Sequence, residues 1–255
     1  MTTKMQSFRK QPLLEPPSER QGDWLTVTDA DRKVMLEYLQ TIRDHPGGST
    51  FLGYNQGAHY FFMQELGAPV EVGERDKFEM TDLVRGICAI DQEMYVADNL
   101  YYLRMMGVEV DGEKYLQNML TGLQKTRDDT TISLRGFSGM MLASQHYHMK
   151  ALGFGQQITT DDEGAMFDDM TSHRKSGDGE KLAPLLYYMN KLGYGKTVTA
   201  GDKIIFKQTI EKMRENKDGL YNGLSLSHMQ YMVGQLLPEG DVEETKIQLP
   251  PLKKI

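Results

Sequence analysis

The chain has little of several features that would point directly to a function. It contains one cysteine, Cys88, among 255 residues, so no internal disulfide can form and we expect a reducing compartment, the cytoplasm. A secreted protein that had lost its signal peptide would look the same. Cys88 lies in the apolar helical stretch VRGICAID, which is typical of an inert core thiol.

Long apolar runs and dense basic stretches are missing as well. No run of 18 apolar residues exists, so we expect no membrane span. The net charge is −7, without a stripe rich in lysine or arginine, which argues against a nucleic-acid partner. Residues 1–25 are polar and carry prolines, so we expect a poorly ordered tail and not a signal peptide.

The chain contains the same sequence pattern for the start of a helix three times. A threonine follows a β-branched residue, and an aspartate follows three positions later, at Thr28 and Asp31, Thr159 and Asp162, Thr199 and Asp202. The hydroxyl of such a threonine can accept from the third amide of the helix, and the carboxylate suits the positive end of the helix dipole. Degenerate copies begin at Gly73 and Asp111.

Helix ends repeat too. Four aromatic-rich segments stop at a glycine, which is the expected left-handed cap: Gly67, Gly107, Gly153 and Gly193. Four residues before each glycine, and once more near residue 237, stands a long apolar side chain: Met63, Leu103, Met149, Met189 and Met232. Chance similarity between amphipathic helices would explain the apolar periodicity but not the matched caps.

These starts and ends define a fold. Each start begins one helix and each end closes a second, so the unit is a helical hairpin of about 43 residues. The sequence therefore predicts an all-α protein with five hairpins between 26 and 237, arranged as an α/α solenoid or an incomplete α/α toroid. Residues 238–255 are predicted to be a C-terminal tail.

We call the first helix of each hairpin the outer helix and the second the inner helix. The connection after the last outer helix carries a recognisable turn, with Asn216, Asp218, Gly219 and Tyr221 in order. A second match surrounds Gly47 and Gly48. Both resemble the repeat of the prenyltransferase and squalene-cyclase families, where an outer helix ends in a Gln/Asn-Asp-Gly-aromatic turn before an inner helix. The resemblance implies an α/α toroid with a central cavity.

The resemblance extends to architecture and not to chemistry. Class II cyclases of that kind use an Asp-x-Asp-Asp motif, and the nearest stretch here, ITTDDE, has Thr159 in place of the first aspartate. The sequence also offers no zinc-ligand set of the protein prenyltransferase type.

Every outer helix ends in an arginine: Arg43, Arg85, Arg127, Arg174 and Arg214. A cation there stabilises the negative end of a helix dipole, which is the interpretation we favour, since Asp44, Asp128 and Glu215 follow directly and could neutralise three of them. The alternative is a partial ring of guanidinium groups that holds an anionic ligand.

The inner helices are rich in polar aromatic and amide side chains, whereas a wholly buried helix would carry aliphatic ones. Such side chains suit a wet cavity or groove that binds a peptide, a glycan or another small molecule; packing between layers is the alternative. The candidate ligand-binding residues are Tyr54, Asn55, His59, Tyr95, Asn99, Tyr102, His148, Tyr188, Asn222 and His228.

Metal chemistry has weaker support in the sequence. His59 with Met63, and His228 with Met232, share helix faces and could hold copper(I), but methionine is common throughout the apolar positions. Asp162 and Asp169 lie two turns apart and could hold a divalent ion, but acids in a first turn ordinarily serve the dipole. We expect neither a metal nor another cofactor.

Three functions remain open. The first is a ligand-binding or scaffolding repeat protein for a peptide or glycan. The second is a toroid enzyme acting on a carbohydrate or isoprenoid, with acid/base groups among Asp98, His59, His146 and His228. The third is a metal-binding protein. The first leads because the acids and histidines show no catalytic spacing.

Overall fold

The computed structural model describes residues 24–44, 56–68, 70–89, 92–128, 138–216 and 222–237, and within them all regular structure is helical. The all-α prediction is confirmed. Ten α-helices lie in these ranges: α1 (Asp29–Asp44), α2 (Gln56–Glu65), α3 (Glu74–Ala89), α4 (Val96–Met105), α5 (Leu116–Asp128), α6 (Ser138–Leu152), α7 (Thr160–Ser176), α8 (Gly179–Leu192), α9 (Ala200–Glu215) and α10 (Asn222–Leu236). Short 3₁₀ turns at Glu93–Tyr95 and Glu113–Tyr115 precede α4 and α5.

The predicted helix starts are confirmed at the level of hydrogen bonds. Thr159 and Thr199 form reciprocal capping boxes with Asp162 and Asp202, and Thr28 exchanges the same two bonds with Asp31 at 2.9 and 3.1 Å. Each box gives hydrogen-bond acceptors to two backbone amides at the helix start, one of the threonine and one of the aspartate. These three helices therefore begin where local chemistry places them.

The predicted glycine ends are confirmed as well. Gly67, Gly107, Gly153 and Gly193 have φ angles of 74°, 76°, 96° and 101°, in the left-handed region that residues with a Cβ rarely adopt. These glycines follow the even-numbered helices α2, α4, α6 and α8.

Helices of two kinds alternate along the chain. The even-numbered helices are largely buried: eight of the ten residues of α2 are buried, whereas α1 buries five of 16. Each even-numbered helix packs on the next, and α10 packs on α2 as well as on α8. The odd-numbered helices cover them: α5 packs on α4 and α6, α7 on α6 and α8, α9 on α8 and α10, and α1 on α10 and α2.

The five positions aligned from the sequence share one hydrophobic core: Met63, Leu103, Met149, Met189 and Met232 are all buried within it. Trp24 and Leu25 also pack against this core, so the packed region begins slightly before the predicted boundary at residue 26. Tyr54, Asn55, the glycine pair 47–48 and most of the family-like turn at 218–221 lie outside the described residues. None of the described helices has the length and apolar character needed to cross a membrane.

Candidate functional site

The end of α5 is joined to the start of α7 by a cluster around Asp162. Arg127 donates from Nε and Nη2 to the two carboxylate oxygens at 3.0 and 2.7 Å, the amide of Thr159 donates at 3.0 Å, and Nε2 of His146 lies 3.0 Å away. Burial alone would raise the pKa of Asp162, but these hydrogen bonds and the Arg127 charge outweigh it and lower the pKa to about 2.

The same arginine–aspartate pair recurs around the protein. Arg43 pairs with Asp76 at 2.9 Å, Arg174 with Asp202 at 2.8 Å, and Arg214 with Asp31 at 2.8 Å. In each case the arginine at the end of one outer helix binds the third residue of the next outer helix, or, for Arg214, of the first.

Arg85 is the exception among the five arginines. It contacts Asp82 of its own helix at 3.5 Å, and both side chains are more than half exposed. A surface pair of this kind contributes little to stability.

The acids that directly follow three of these arginines are not the carboxylates with which Arg43, Arg127 and Arg214 pair among the described residues. Asp44 and Asp128 instead accept hydrogen bonds from Gln40 and Gln124 of their own helices. Four of the five proposed anion-binding guanidinium groups are bonded to carboxylates of the chain itself, and in each of them the Nε and Nη2 donors are engaged.

Five aromatic side chains, one from each even-numbered helix, meet near the C-terminal ends of these helices. Tyr101 and Tyr147 have ring centroids 5.6 Å apart, Tyr147 and Tyr187 6.2 Å, Tyr187 and Tyr231 6.0 Å, and Tyr231 and Phe61 5.5 Å. We call this set the tyrosine ring. Its members Tyr101, Tyr147 and Tyr231 are partly exposed, whereas Phe61 and Tyr187 are buried.

Phenol hydroxyls within the tyrosine ring bond to one another. The hydroxyls of Tyr101 and Tyr147 are 3.1 Å apart. Burial raises the pKa of Tyr101 and Tyr187, and raises that of Tyr231 to about 12. These three phenols are therefore protonated at neutral pH and can both donate and accept.

The tyrosine ring shows that the fifth unit, the hairpin α9–α10, is shifted by one residue from the alignment made on the sequence. Gln230 donates to Asp31 at 2.9 Å, which is the role of Tyr60 toward Asp76 and of His146 toward Asp162. Tyr231 then corresponds to Phe61, Tyr101, Tyr147 and Tyr187, and Val233, not Met232, corresponds to Met63. The missing glycine after α10 removed the mark that fixes the register in the other units.

A second aromatic layer lies beneath the ring and contains three predicted ligand-binding residues. Tyr102 and Tyr188 are buried with their hydroxyls 3.4 Å apart. His148 is buried between them, with centroid distances of 5.3 and 5.2 Å. This layer is packed, so the predicted wet cavity does not reach these side chains.

His148 belongs to a polar cluster with Asp98 and Ser144. Nδ1 of His148 is 2.6 Å from Asp98 Oδ1, and the Ser144 hydroxyl donates to the same carboxylate at 3.0 Å. Nε2 of His148 is buried without a hydrogen-bond partner among the described residues. Asp98 is 23% exposed, so the cluster connects the buried layer to the surface.

The other two histidine candidates lie in apolar surroundings. His59 is bonded through Nδ1 to Ser227 and through Nε2 to the carbonyl of Met35, both at 3.0 Å. His228 lies edge-on to Phe62 at 4.4 Å. Burial lowers the pKa of His59 to about 4 and that of His228 to about 3, so both are neutral at pH 7. The structure does not bring either of them together with Asp98.

The amide candidates serve backbone groups. Asn99 donates to the carbonyl of Tyr95, one turn earlier, at 2.9 Å, and Asn222 donates to the carbonyls of Met213 and Asn216 at the end of α9. Both amides therefore have structural partners. Among the described residues, no group of three or more histidine, cysteine or acidic side chains could hold a metal ion.

Asp169, half of the considered divalent-ion pair, caps α6 instead. It accepts from the amides of Gly139 and Met140 at 2.8 and 3.3 Å, while burial raises its pKa. With Asp162 bonded to Arg127, both carboxylates hold helices in place.

A groove of about 310 Å³ opens beside α6, lined by His146, Lys150, Gly155, Gln156, Ile158 and Leu192. Its only histidine, His146, is 1% exposed, and its Nδ1 has no partner among the described residues. Burial lowers the pKa of His146, against the opposing effect of Asp162.

Sequence reasoning missed Tyr147, Ser144 and this groove. Tyr147 precedes Met149 by two residues, as Phe61 precedes Met63 and Tyr101 precedes Leu103, so the repeat could have revealed it. Ser144 and the groove have no comparable local mark. Comparison of the chain with protein-family models, curated proteins and solved structures finds no match.

Proposed function

We propose that the five hairpins form a closed α/α ring of the toroid kind, and that the chain binds a glycan on the tyrosine ring. The observation that carries the binding proposal is the convergence of one aromatic side chain from each of the five even-numbered helices, three of them partly exposed.

The chemistry of this surface suits a sugar. Aromatic rings bury the C–H face of a pyranose, and phenol hydroxyls exchange hydrogen bonds with sugar hydroxyls. The tyrosine ring offers both within one patch, because Tyr101 and Tyr147 present rings and bonded hydroxyls together. The buried layer of Tyr102, His148 and Tyr188 supports it from below, which limits the entropy lost on binding.

Charges at the edge of the ring are mixed. The ammonium group of Lys191 lies 5.3 Å from the centroid of Tyr187, and the negative charge of Glu65 acts on Tyr231. These two charges are of opposite sign, so an uncharged ligand fits this edge of the ring better than a strongly charged one. This favours a neutral glycan over a charged peptide.

Titration calorimetry with cellohexaose, xylohexaose, maltohexaose, laminarihexaose and chitohexaose tests the proposal. We expect at least one to bind, with Tyr147→Ala raising the Kd by about tenfold through the loss of stacking area. Tyr147→Phe, which removes only the hydroxyl, is expected to have a smaller effect. Tyr115→Phe, in the 3₁₀ turn before α5, is the matched control and should leave the Kd unchanged.

Two results would contradict the proposal. One is the absence of binding by every oligosaccharide to a folded protein. The other is binding that Tyr147→Ala and Tyr115→Phe alter equally, since the site would then lie elsewhere. If peptides from an unmodified library bound at the tyrosine ring and no oligosaccharide bound, the ligand would be a peptide and not a glycan.

The second candidate function is a toroid enzyme that acts on the bound carbohydrate. It is favoured by one observation, the 2.6 Å contact between the partly exposed Asp98 and His148 beneath the ring, which is an arrangement that acid/base catalysis uses. An assay for reducing ends released from the same oligosaccharides tests this function. Activity that is lost in Asp98→Asn but retained in the control Asp168→Asn, on α7, would support it.

A further inference from the structure

The groove beside His146 lies in the third unit, the hairpin α5–α6, at a place where the first (α1–α2) and the fourth (α7–α8) use a side-chain amide to bind the backbone of the following segment. In the fourth unit, Asn190 bridges the backbone of Lys196: its Nδ2 donates to the Lys196 carbonyl at 3.0 Å, and its Oδ1 accepts from the Lys196 amide at 2.5 Å. In the first unit, Gln64 donates to the carbonyl of Val70 at 3.1 Å. The spacing is six residues in both cases.

The third unit has the same spacing but a different side chain. Lys150 stands where Asn190 stands in the fourth unit, and Gln156 stands where Lys196 stands, since the segments from Gly153 and from Gly193 align without a gap. Lysine has no acceptor oxygen and cannot make the double bridge. Among the described residues, the backbone amide and carbonyl of Gln156 have no hydrogen-bond partner, and only its side chain is bonded, to the carbonyl of Phe154.

The histidine adds a third polar atom to this groove. Asp162 is ionised at neutral pH and can only accept, so Nε2 of His146 carries the hydrogen of their 3.0 Å contact. The imidazole is neutral because burial lowers its pKa, which leaves Nδ1 as an acceptor without a donor. In the fourth unit the corresponding residue is Leu186, so no comparable polar atom exists there.

We propose that this groove binds a small molecule with a terminal primary carboxamide, which takes the place of the missing asparagine amide. The carboxamide oxygen accepts from the Gln156 amide, and its NH₂ group donates to the Gln156 carbonyl and to Nδ1 of His146. The aliphatic part of the ligand lies against Ile158 and Leu192, the apolar side chains that line the groove. A carboxylate of the same shape cannot donate to either acceptor, so the site discriminates amide from acid.

Two-dimensional ¹H–¹⁵N NMR of the full chain, titrated with butyramide and separately with butyrate, tests the proposal. We expect butyramide to shift the resonances of Gln156 and of the His146 ring, and butyrate to leave them in place. L-glutamine and L-glutamate form a second matched pair with the same expectation. Equal shifts by the acid and the amide would show that the Lys150 charge attracts the ligand, and would overturn the proposal.

Lys150→Asn is the decisive variant. It restores the asparagine of the fourth unit, so the side chain bridges Gln156 and competes with the ligand; we expect butyramide affinity to fall by about tenfold or more. Lys175→Asn, an equal charge change on the exposed face of α7, should leave it unchanged. Retained butyramide binding in folded Lys150→Asn, or no binding of butyramide and glutamine to the unaltered protein, would refute the assignment.

Discussion

Arg214, in the last turn of α9, donates two hydrogen bonds to Asp31, in the first turn of α1, at 3.0 and 2.8 Å across 183 positions of the chain. Arg214 also donates to the carbonyls of Trp24 and Thr26. The last outer helix therefore binds the first with the same bonds that join α5 to α7 and α7 to α9. The last hairpin also approaches the first at Gly223 of α10, where an added Cβ would lie only 2.6 Å from the carbonyl oxygen of Val34 in α1.

Removing one of the repeated guanidinium groups should destabilise the protein. Arg127→Met leaves the buried Asp162 carboxylate without the two donors of the guanidinium group, and we expect a loss of about 3 kcal/mol in the free energy of unfolding. Arg85→Met is the matched control and should change it by less than about 0.5 kcal/mol, because its partner within the described ranges, Asp82, is exposed. Urea unfolding followed by circular dichroism measures both, and equal losses would contradict the distinction.

The buried histidines should make stability depend on pH in a mildly acidic window. In the unfolded chain His59 and His228 titrate near about 6.5, whereas burial lowers their folded pKa values to about 4 and about 3. Below pH 6.5 the unfolded chain binds protons that the folded chain does not, so each histidine lowers the free energy of unfolding by up to about 1.4 kcal/mol per pH unit. The loss continues until the pH passes the folded pKa.

His228→Leu isolates one of these contributions. As the pH falls from about 6 to about 4, the free energy of unfolding of this variant should decrease less steeply than that of the unaltered protein. The two slopes should differ by up to one bound proton, which corresponds to about 1.4 kcal/mol per pH unit. Asp162, with a pKa of about 2, loses its contribution at lower pH, so it does not obscure the comparison. An unchanged slope would show that His228 is not buried and neutral.

Two helical glycines should respond in opposite directions to alanine. A Cβ at Gly139 would lie 2.3 Å from the carbonyl oxygen of Ala165, whereas a Cβ at Gly164 meets nothing within 4 Å. We expect Gly139→Ala to cost about 2 kcal/mol through a clash between α6 and α7, and Gly164→Ala to stabilise the helix by up to about 1 kcal/mol. Thermal unfolding distinguishes them, and a stabilising Gly139→Ala would mean that the two helices do not approach this closely.

The features predicted from sequence are those with local chemistry. The pairing of Thr159 with Asp162 involves one helix turn, and the left-handed Gly153 depends on the φ angle of one residue. Both can be recognised from residue types alone. Because these starts and ends repeat along the sequence, they predict a hairpin unit and an all-α fold.

What the sequence could not supply are the contacts between units. Arg127 precedes Asp128 in the chain but binds Asp162, because the geometry of neighbouring helices, and not sequence proximity, decides its partner. The contact between Asp98 and His148 joins α4 to α6 in the same way. The Lys150 groove required a comparison between two folded hairpins, since it depends on a hydrogen-bond bridge that is present in one and missing in the other.

Closure of the helical ring is most directly tested by a double-mutant cycle between Asp31 and Arg214. The free energies of unfolding of the unaltered protein, Asp31→Asn, Arg214→Met and the double variant give the coupling energy of the pair. If the first and last hairpins are in contact, the coupling should be about 1–3 kcal/mol. Strictly additive single changes would contradict the contact, and with it the proposed closed ring that forms the proposed binding surface.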